Sequence, residues 1–122
     1  MGIVIDYKCI CGYKERIFEG AGFRAMNIEL IAKYFPDEGK YISQHSEEAK
    51  PYLIKNVLGI CDSCNKLCSI TQLEYTKDGN KCEKTGRCPS CSKDIKIINN
   101  LRDVKCPHCD GTMKASHVGH WD

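Results

Sequence analysis

The sequence lacks any apolar run that approaches the roughly 20 residues needed to cross a bilayer. It also lacks the features of a secretion signal, because its start, MGIVIDYKC, has no basic region and only three consecutive apolar residues before Asp6. No low-complexity segment or long run of like charges interrupts the chain. From these absences we expect a cytoplasmic protein that does not associate with membranes.

Signatures of common catalytic sites are missing as well. The sequence has no glycine-rich phosphate loop, no nucleophile elbow and no pair of acidic residues at a suggestive spacing. An enzyme is therefore the least favoured of the function classes that the sequence leaves open.

Side chains for a large core are in short supply. The chain of 122 residues fits one domain or two very small modules. Its hydrophobic fraction of 42% includes ten cysteines and six tyrosines. Modules of about 60 residues seldom stabilise themselves by apolar burial alone. Another source of stability is therefore needed.

Cysteine is abundant, and most of it occurs in close pairs. In chain order, the first to fourth pairs are Cys9 and Cys11, Cys61 and Cys64, Cys88 and Cys91, and Cys106 and Cys109. In a reducing compartment such pairs indicate metal ligands rather than disulfides. Tetrahedral zinc takes four thiolates at about 2.3 Å, and two cysteine knuckles complete one closed site. The sequence therefore predicts two zinc ions, each held by four cysteines.

The charge of the chain changes when these sites are filled. The formal net charge is +2 with every cysteine neutral. Each site of four thiolates and one zinc adds about −2, so the loaded protein would carry about −2. Residues 77–105 hold eight basic and four acidic residues, but no aromatic residue for base stacking. A solvated face is the simpler interpretation of that stretch.

The last two pairs have the most specific spacing. Fourteen residues separate Cys91 from Cys106, which is enough for a strand, a turn and a return. The motifs CPSC and CPHCDG resemble the knuckles of the zinc-ribbon superfamily, closely over residues 87–114 and less elsewhere. The resemblance implies zinc and a β-hairpin fold. It implies little about activity, because zinc ribbons serve many unrelated proteins.

Apolar periodicity predicts β-hairpins around the cysteine pairs. Alternating residues flank CICG and CDSC, a short strand follows CPSC, and KDGN at residues 77–80 indicates a tight turn. The predicted fold class is small metal-bound α+β, with two zinc ribbons and a helical insertion in the first. The predicted modules are residues 1–80, with the insertion at about 23–56, and residues 81–122, a compact zinc ribbon with a short tail.

The insertion carries the helix signals. Apolar residues recur at three- and four-residue spacing over residues 23–35, which predicts an amphipathic helix ended by Pro36. We expect residues 37–45 to form a loop. Ser46 is placed to cap a second helix, which Pro51 would keep short.

Two pairings of the cysteine knuckles are open. In the sequential pairing, the first pair joins the second and the third joins the fourth. In the alternative, the second pair joins the third, which leaves the first pair for the fourth. We favour the sequential pairing, because the first two pairs both lie at hairpin tips and a long insertion adds little closure entropy.

Four further residues are candidates for chemistry. Cys68 and Cys82 are candidates for a thiol or redox role, although small, partly buried thiols are the simpler interpretation. His117 and His120 have the i, i+3 spacing of a weak metal site, although we expect a solvated tail there.

Three function classes follow. The leading hypothesis is a zinc-binding accessory protein that binds a protein or a nucleic acid, since closed four-cysteine sites leave no open position for substrate. The second is an electron carrier with iron in rubredoxin-like knuckles. The third is an enzyme that uses Cys68 or Cys82.

Overall fold

The computed structural model describes residues 2–22 and 25–121. These residues contain seven strands and two helices. The strands are β1 Gly2–Lys8, β2 Lys14–Gly20, β3 Leu53–Cys61, β4 Lys66–Lys77, β5 Asn80–Thr85, β6 Lys96–Ile97 and β7 Lys114–Trp121. The helices, α1 Ile28–Tyr34 and α2 Pro36–Gln44, lie between β2 and β3. Within these two ranges, no helix has the length and apolarity to span a membrane.

The strands form one antiparallel sheet in the order β5-β4-β3-β2-β1-β7, and the short β6 pairs with β3. The last strand in the sequence thus lies beside the first, and each residue of β1 has a partner in both β2 and β7. Strands from both sides of residue 80 therefore belong to the same sheet. The division into modules at residue 80 stays a prediction.

The hairpins predicted around the first two cysteine pairs are confirmed. β1 pairs with β2 and β3 pairs with β4, with the cysteines of each hairpin at or next to its tip. The tight turn at residues 77–80 joins β4 to β5. Asp78 and Gly79 both have positive φ there, as a two-residue hairpin turn requires.

The helices differ from the prediction in their bounds. Helix α1 begins at Ile28, where the Oδ1 atom of Asn27 accepts a hydrogen bond from the Leu30 N–H at 2.9 Å. Pro36 follows the end of α1, as predicted, but it also begins α2 because the first turn of a helix needs no N–H donor. The loop predicted over residues 37–45 is therefore wrong.

The residues after α2 also differ from the prediction. Residues 46–49 form a turn, so the helix predicted after Ser46 is wrong. The backbone enters β3 soon afterwards, which leaves no room for a helix. Phe23, the first residue of the predicted amphipathic helix, lies outside the described residues.

The buried side chains form three small clusters in place of one large core. The first lies between the β1–β2 hairpin and the β3–β4 hairpin, and Tyr7, Ile17 and Leu58 are fully buried in it. The second lies under the helices and includes Ile31 and Ile42. The third lies on the opposite face of β3 and β4 and consists mainly of cysteines, with the members Cys61, Cys68, Ile70 and Cys88.

The residues after the fourth cysteine pair are a strand rather than the predicted solvated tail. β7 pairs with β1 along its length, with one bulge where Val4 and Ile5 face Gly119 and His117. At its end, the indole N–H of Trp121 donates to the Glu19 carbonyl at 3.2 Å. β7 is therefore an integral part of the sheet.

Candidate metal centres

The four cysteine pairs converge in two groups of four. The first centre contains Cys9, Cys11, Cys106 and Cys109, and the second contains Cys61, Cys64, Cys88 and Cys91. Within each centre all four sulfur atoms lie within 4.8 Å of one another. The sequential pairing is therefore wrong, and the alternative pairing is the one that the structure forms.

The sheet topology explains this pairing. β7 runs antiparallel to β1, so the fourth pair, just before β7, lies beside the first pair, just after β1. In the same way β6, which follows the third pair, pairs with the end of β3 that carries Cys61. The tip positions predicted from the hairpins were right, but the partner of each tip depends on strand order. The two helices consequently lie, along the chain, between knuckles of different centres.

The sulfur spacing fits a tetrahedral metal ion. In the first centre, the Sγ atoms of Cys9 and Cys109 are 3.4 Å apart and those of Cys11 and Cys106 are 3.6 Å apart. The matching distances in the second centre are 3.5 Å and 3.8 Å. Sulfurs about 2.3 Å from a tetrahedral zinc are about 3.8 Å from one another, whereas disulfide sulfurs are about 2.05 Å apart. Both centres are therefore arranged for a metal ion and not for disulfides.

All four knuckles share a backbone feature. The residue directly after the second cysteine of each pair has positive φ, and these residues are Gly12, Asn65, Ser92 and Asp110. In the third knuckle the N–H of Ser92 donates to the Cys88 carbonyl at 2.8 Å, and in the fourth the N–H of Asp110 donates to the Cys106 carbonyl at 3.0 Å. Side chains other than glycine rarely adopt this conformation. The four knuckles therefore share one turn geometry at this position.

Backbone N–H groups favour the thiolate form of one cysteine in each centre. The pKa of Cys9 is lowered to about 7, chiefly by the N–H of Cys11. The pKa of Cys88 is lowered to about 6, chiefly by the N–H of Cys91 and then by that of Ser90. Each centre therefore has one sulfur that is ready to bind a cation near neutral pH.

A second cysteine in each centre resists ionisation. The pKa of Cys64 is raised to about 12, chiefly by its hydrogen bond with Cys91. The N–H of Gly111 lowers the pKa of Cys109, but hydrogen bonds with Cys9 and Cys11 outweigh it and raise the pKa to about 12. Four thiolates this close repel one another, and a divalent cation among them would relieve that repulsion.

The two centres differ in exposure. Cys11 and Cys109 of the first centre are exposed. Cys61 and Cys88 of the second centre are only 1% and 2% exposed. Cys106 of the first centre is buried as well, and Cys64 and Cys91 of the second are half-buried. The first centre is therefore the more exposed of the two.

The two unpaired cysteines lie outside both groups. Cys68 is buried beside the second centre, and its Sγ atom is 3.7 Å from the Gly59 carbonyl. Burial raises the pKa of Cys68 to about 11, which disfavours the thiolate that a redox nucleophile needs. Cys82 is on β5, with its Sγ atom 3.7 Å from the Asn80 carbonyl.

His117 and His120 come together on β7, and their ring centroids are 5.0 Å apart. The bulge makes this possible, because it places them opposite Ile5 and Ile3, which lie on the same face of β1. Neither histidine belongs to a group of three or more metal-ligating side chains within the described residues. The weak metal site suggested by their spacing stays a prediction.

No protein-family model matches this chain, and neither a curated protein nor a solved structure is significantly similar to it. The chemistry of the two centres is therefore the basis for the function proposed next.

Proposed function

We propose that this is a zinc protein whose two four-cysteine centres are structural, and that it acts by binding a protein or nucleic-acid partner and not by catalysis. One observation carries the proposal: eight cysteines from four separate turns converge in two sets, each with its sulfurs within 4.8 Å. Four thiolates in tetrahedral array suit zinc or iron. Four protein ligands also leave no coordination position for a substrate.

The clusters of the fold support a structural role for the metal. Fully buried apolar side chains are divided among small clusters, and one of these consists mainly of cysteines. Zinc binding to such sites is worth about 10 to 16 kcal/mol at neutral pH, compared with a total stability of about 5 to 15 kcal/mol for a typical domain. The two metal ions would then supply much of the stability that apolar burial does not.

The zinc-ribbon resemblance supports the choice of zinc at the level of single knuckles. CPSC and CPHC look like ribbon knuckles, but in the structure they contribute to different centres. Each centre would thus be completed by a knuckle from another part of the chain, and the second centre would be nested within the first along the sequence.

Metal content and two matched variants test the proposal. We expect two zinc ions per chain in the purified protein by elemental analysis. Cys61→Ser should reduce the content to one, whereas Cys68→Ser should keep both, although the two residues belong to the same buried cluster. Equal metal loss in the two variants would contradict the assignment of ligands.

Iron in the same centres would make the protein a rubredoxin-like electron carrier. Tetrathiolate iron is coloured, so a red-brown protein with iron as its main metal would replace the zinc proposal. A colourless protein that contains zinc would support it.

A further inference from the structure

The outer face of β2, β1 and β7 has an unusual distribution of side chains. Ile3, Ile5 and Tyr7 of β1 pack into the first cluster, so the alternate residues of this strand lie on the other face. These are Gly2, Val4, Asp6 and Lys8. Their partners in β2 and β7 extend this outer face to three strands.

One end of the outer face carries a row of three lysines. Lys8 lies directly opposite Lys14 of β2 and Lys114 of β7, and all three are exposed. Like charges directly across a sheet repel one another. Within the described residues none of the three forms an ion pair.

The next set of cross-strand partners on this face contains one acidic residue, Asp6, which is already paired. The carboxylate of Asp6 forms two hydrogen bonds with the guanidinium of Arg16, at 2.8 and 3.1 Å. Its other neighbour across the sheet is the uncharged Ser116. Asp6 therefore forms its ion pair with Arg16, and it acts on Lys8 and Lys14 only through longer-range attraction.

The other end of the outer face carries two aromatic rings. Phe18 lies opposite Val4 and is 40% exposed. The Trp121 ring lies over Gly2, where a Cβ atom would collide with the indole, and it is edge-on to Phe18 with centroids 6.4 Å apart. Among the described residues, chain neighbours apart, nothing lies within 4 Å of the position that a Cβ atom of Gly119 would occupy. The accessible part of the aromatic end is therefore the exposed side of Phe18 and the partly exposed Trp121 ring, beside the free space at Gly119.

Cations and aromatic rings on one surface are what single-stranded nucleic acid requires. Lys8 and Val4, the β1 residues beside the lysines and Phe18, are four positions apart, a distance of about 13 Å along the strand. One short strand of nucleotides therefore reaches both ends of the face. Proteins hold such strands with basic side chains on the phosphates and aromatic rings against the bases. A flat sheet face suits the splayed bases of single-stranded RNA, whereas the grooves of a duplex admit a helix or a narrow ribbon.

We propose that the outer face of β2, β1 and β7 binds single-stranded RNA, with Lys8, Lys14 and Lys114 on the phosphates and Phe18 and Trp121 against the bases. This inference rests on the proposed function, since it names the partner and the surface. The locally basic residues 77–105 are less suited, because Lys81 lies 3.9 Å from a Glu74 oxygen and Arg87 lies 3.8 Å from an Asp94 oxygen.

A competing explanation for the lysine row is the first metal centre. Lys8 directly precedes Cys9, and four thiolates with one zinc would carry a charge of about −2. Lysines that only offset this charge would affect metal affinity and would not require aromatic neighbours. The experiment must therefore report metal content and RNA binding separately.

Fluorescence anisotropy of a labelled twelve-residue oligouridine with the metal-loaded protein tests the proposal. We expect K8Q/K14Q/K114Q to lose at least tenfold in affinity. Its slope of log affinity against log salt should fall by about 2, since each phosphate contact to a single strand contributes about 0.7. The control K77Q/K81Q/K84Q removes the same charge from β4 and β5 and should bind almost as the parent protein does.

Phe18 variants test the aromatic half of the surface. Phe18→Leu keeps an apolar side chain over Val4 but should lose roughly fivefold or more in affinity, because it cannot stack on a base. Phe18→Tyr should bind as the parent protein does. Both should retain their full metal content and their circular dichroism spectra.

Several results would overturn the proposal. These are no binding of oligouridine, equal losses in the two triple lysine variants, tighter binding of oligothymidine or duplex, or loss of metal in K8Q/K14Q/K114Q. Displacement of the RNA by polyglutamate without any effect of Phe18→Leu would instead assign the face to an acidic protein. RNA binding that depends on the lysines and Phe18 in a protein without bound metal would support this surface while refuting the proposed function.

Discussion

Two tyrosines at the first cluster form hydrogen bonds in opposite senses. The hydroxyl of Tyr7 donates to the Leu101 carbonyl at 2.8 Å, whereas the hydroxyl of Tyr13 accepts from the Leu67 N–H at 2.8 Å. A carbonyl that loses one partner keeps a second lone pair for water, but a buried N–H has only one bond to give. The Tyr13 hydroxyl should therefore contribute more to the free energy of unfolding than the Tyr7 hydroxyl does.

Tyr13→Phe should destabilise the metal-loaded protein by about 1 to 3 kcal/mol, the cost of an unsatisfied buried donor. Tyr7→Phe should cost less, about 1 kcal/mol. Urea denaturation of both variants under identical metal conditions measures the difference. The reverse order would contradict this assignment of donor and acceptor.

The carboxyl group of Glu19 lies in surroundings that disfavour its ionised form. Its Oε2 atom is buried without a hydrogen-bond partner in the described part of the chain. Burial raises the pKa of Glu19, and the Leu58 N–H and the charge of Lys55 oppose the rise only in part. Because the folded protein favours the protonated form, the ionised form lowers stability above the ordinary pKa of the carboxyl.

Glu19→Gln should therefore stabilise the protein at pH 7.5, by at most about 1 kcal/mol because Glu19 is partly exposed. The gain should shrink as the pH falls and Glu19 of the parent protein becomes protonated. Melting temperatures of both proteins at pH 7.5 and pH 5.5, each with excess metal, test this. A gain that grows toward low pH would show that the carboxylate is stabilised instead.

At the scale of elements, the two helices approach each other closely at Gly39. A Cβ atom on Gly39 of α2 would lie 2.5 Å from the Ala32 Cα of α1. Alanine would raise helix propensity by about 1 kcal/mol, but the overlap costs typically 1 to 3 kcal/mol. We expect the cost of the steric overlap to exceed the gain in helix propensity.

Gly39→Ala should thus lower stability by about 1 kcal/mol, and by at most about 2 kcal/mol, despite its better propensity. Lys40→Ala, at the exposed neighbouring position, is the matched control and should have little effect. Denaturation monitored by circular dichroism compares them. If Gly39→Ala is as stable as the control, the helices do not pack as described.

The same contact explains part of what the sequence could not predict. Alternation in Ile3, Ile5 and Tyr7 was enough to place a strand, because that pattern is local. The extent of α2 is not a local feature in this sense, because Pro36 both follows α1 and begins α2, and the fit of Gly39 against Ala32 exists only between the packed helices. β7 was missed because the bulge breaks its alternation and because its partner, β1, is about a hundred residues away in the chain.

The cysteine pairs themselves could be predicted as ligands from spacing, but their partners could not. Hairpin tips are local features, whereas the pairing follows from β7 lying beside β1 and β6 beside β3. A local signal does mark the knuckles: all four pairs are followed by a residue with positive φ, and three of these residues, Gly12, Asn65 and Asp110, are of types that tolerate it.

For the whole molecule, unequal exposure of the centres predicts an order of metal loss. A chelator reaches Cys11 and Cys109 directly, whereas Cys61 and Cys88 are buried. Transfer of metal to a chromophoric chelator should therefore occur in two phases of one ion each. The double variant Cys11→Ser, Cys109→Ser should lack the fast phase. A fast phase that persists in this variant would reverse the order.

Proton release predicts how metal affinity varies with pH. In the first centre the pKa of Cys109 is raised to about 12 and that of Cys11 is raised as well, so both are thiols until the metal binds. Each released proton makes affinity rise about tenfold per pH unit. Competition titrations at pH 6.5 and 7.5 should show a rise of about a hundredfold or more. Affinity that does not change with pH would mean that the ligands are not thiols.

The nesting of the two centres also sets an order of assembly during synthesis. Only 24 positions separate Cys64 from Cys88, whereas 95 separate Cys11 from Cys106. A chain that emerges from the ribosome amino end first can therefore load the inner ion as soon as Cys91 is free. If zinc binds as proposed, the nascent protein would carry one metal ion until Cys109 follows, with Cys9 and Cys11 unligated and one edge of β1 unpaired.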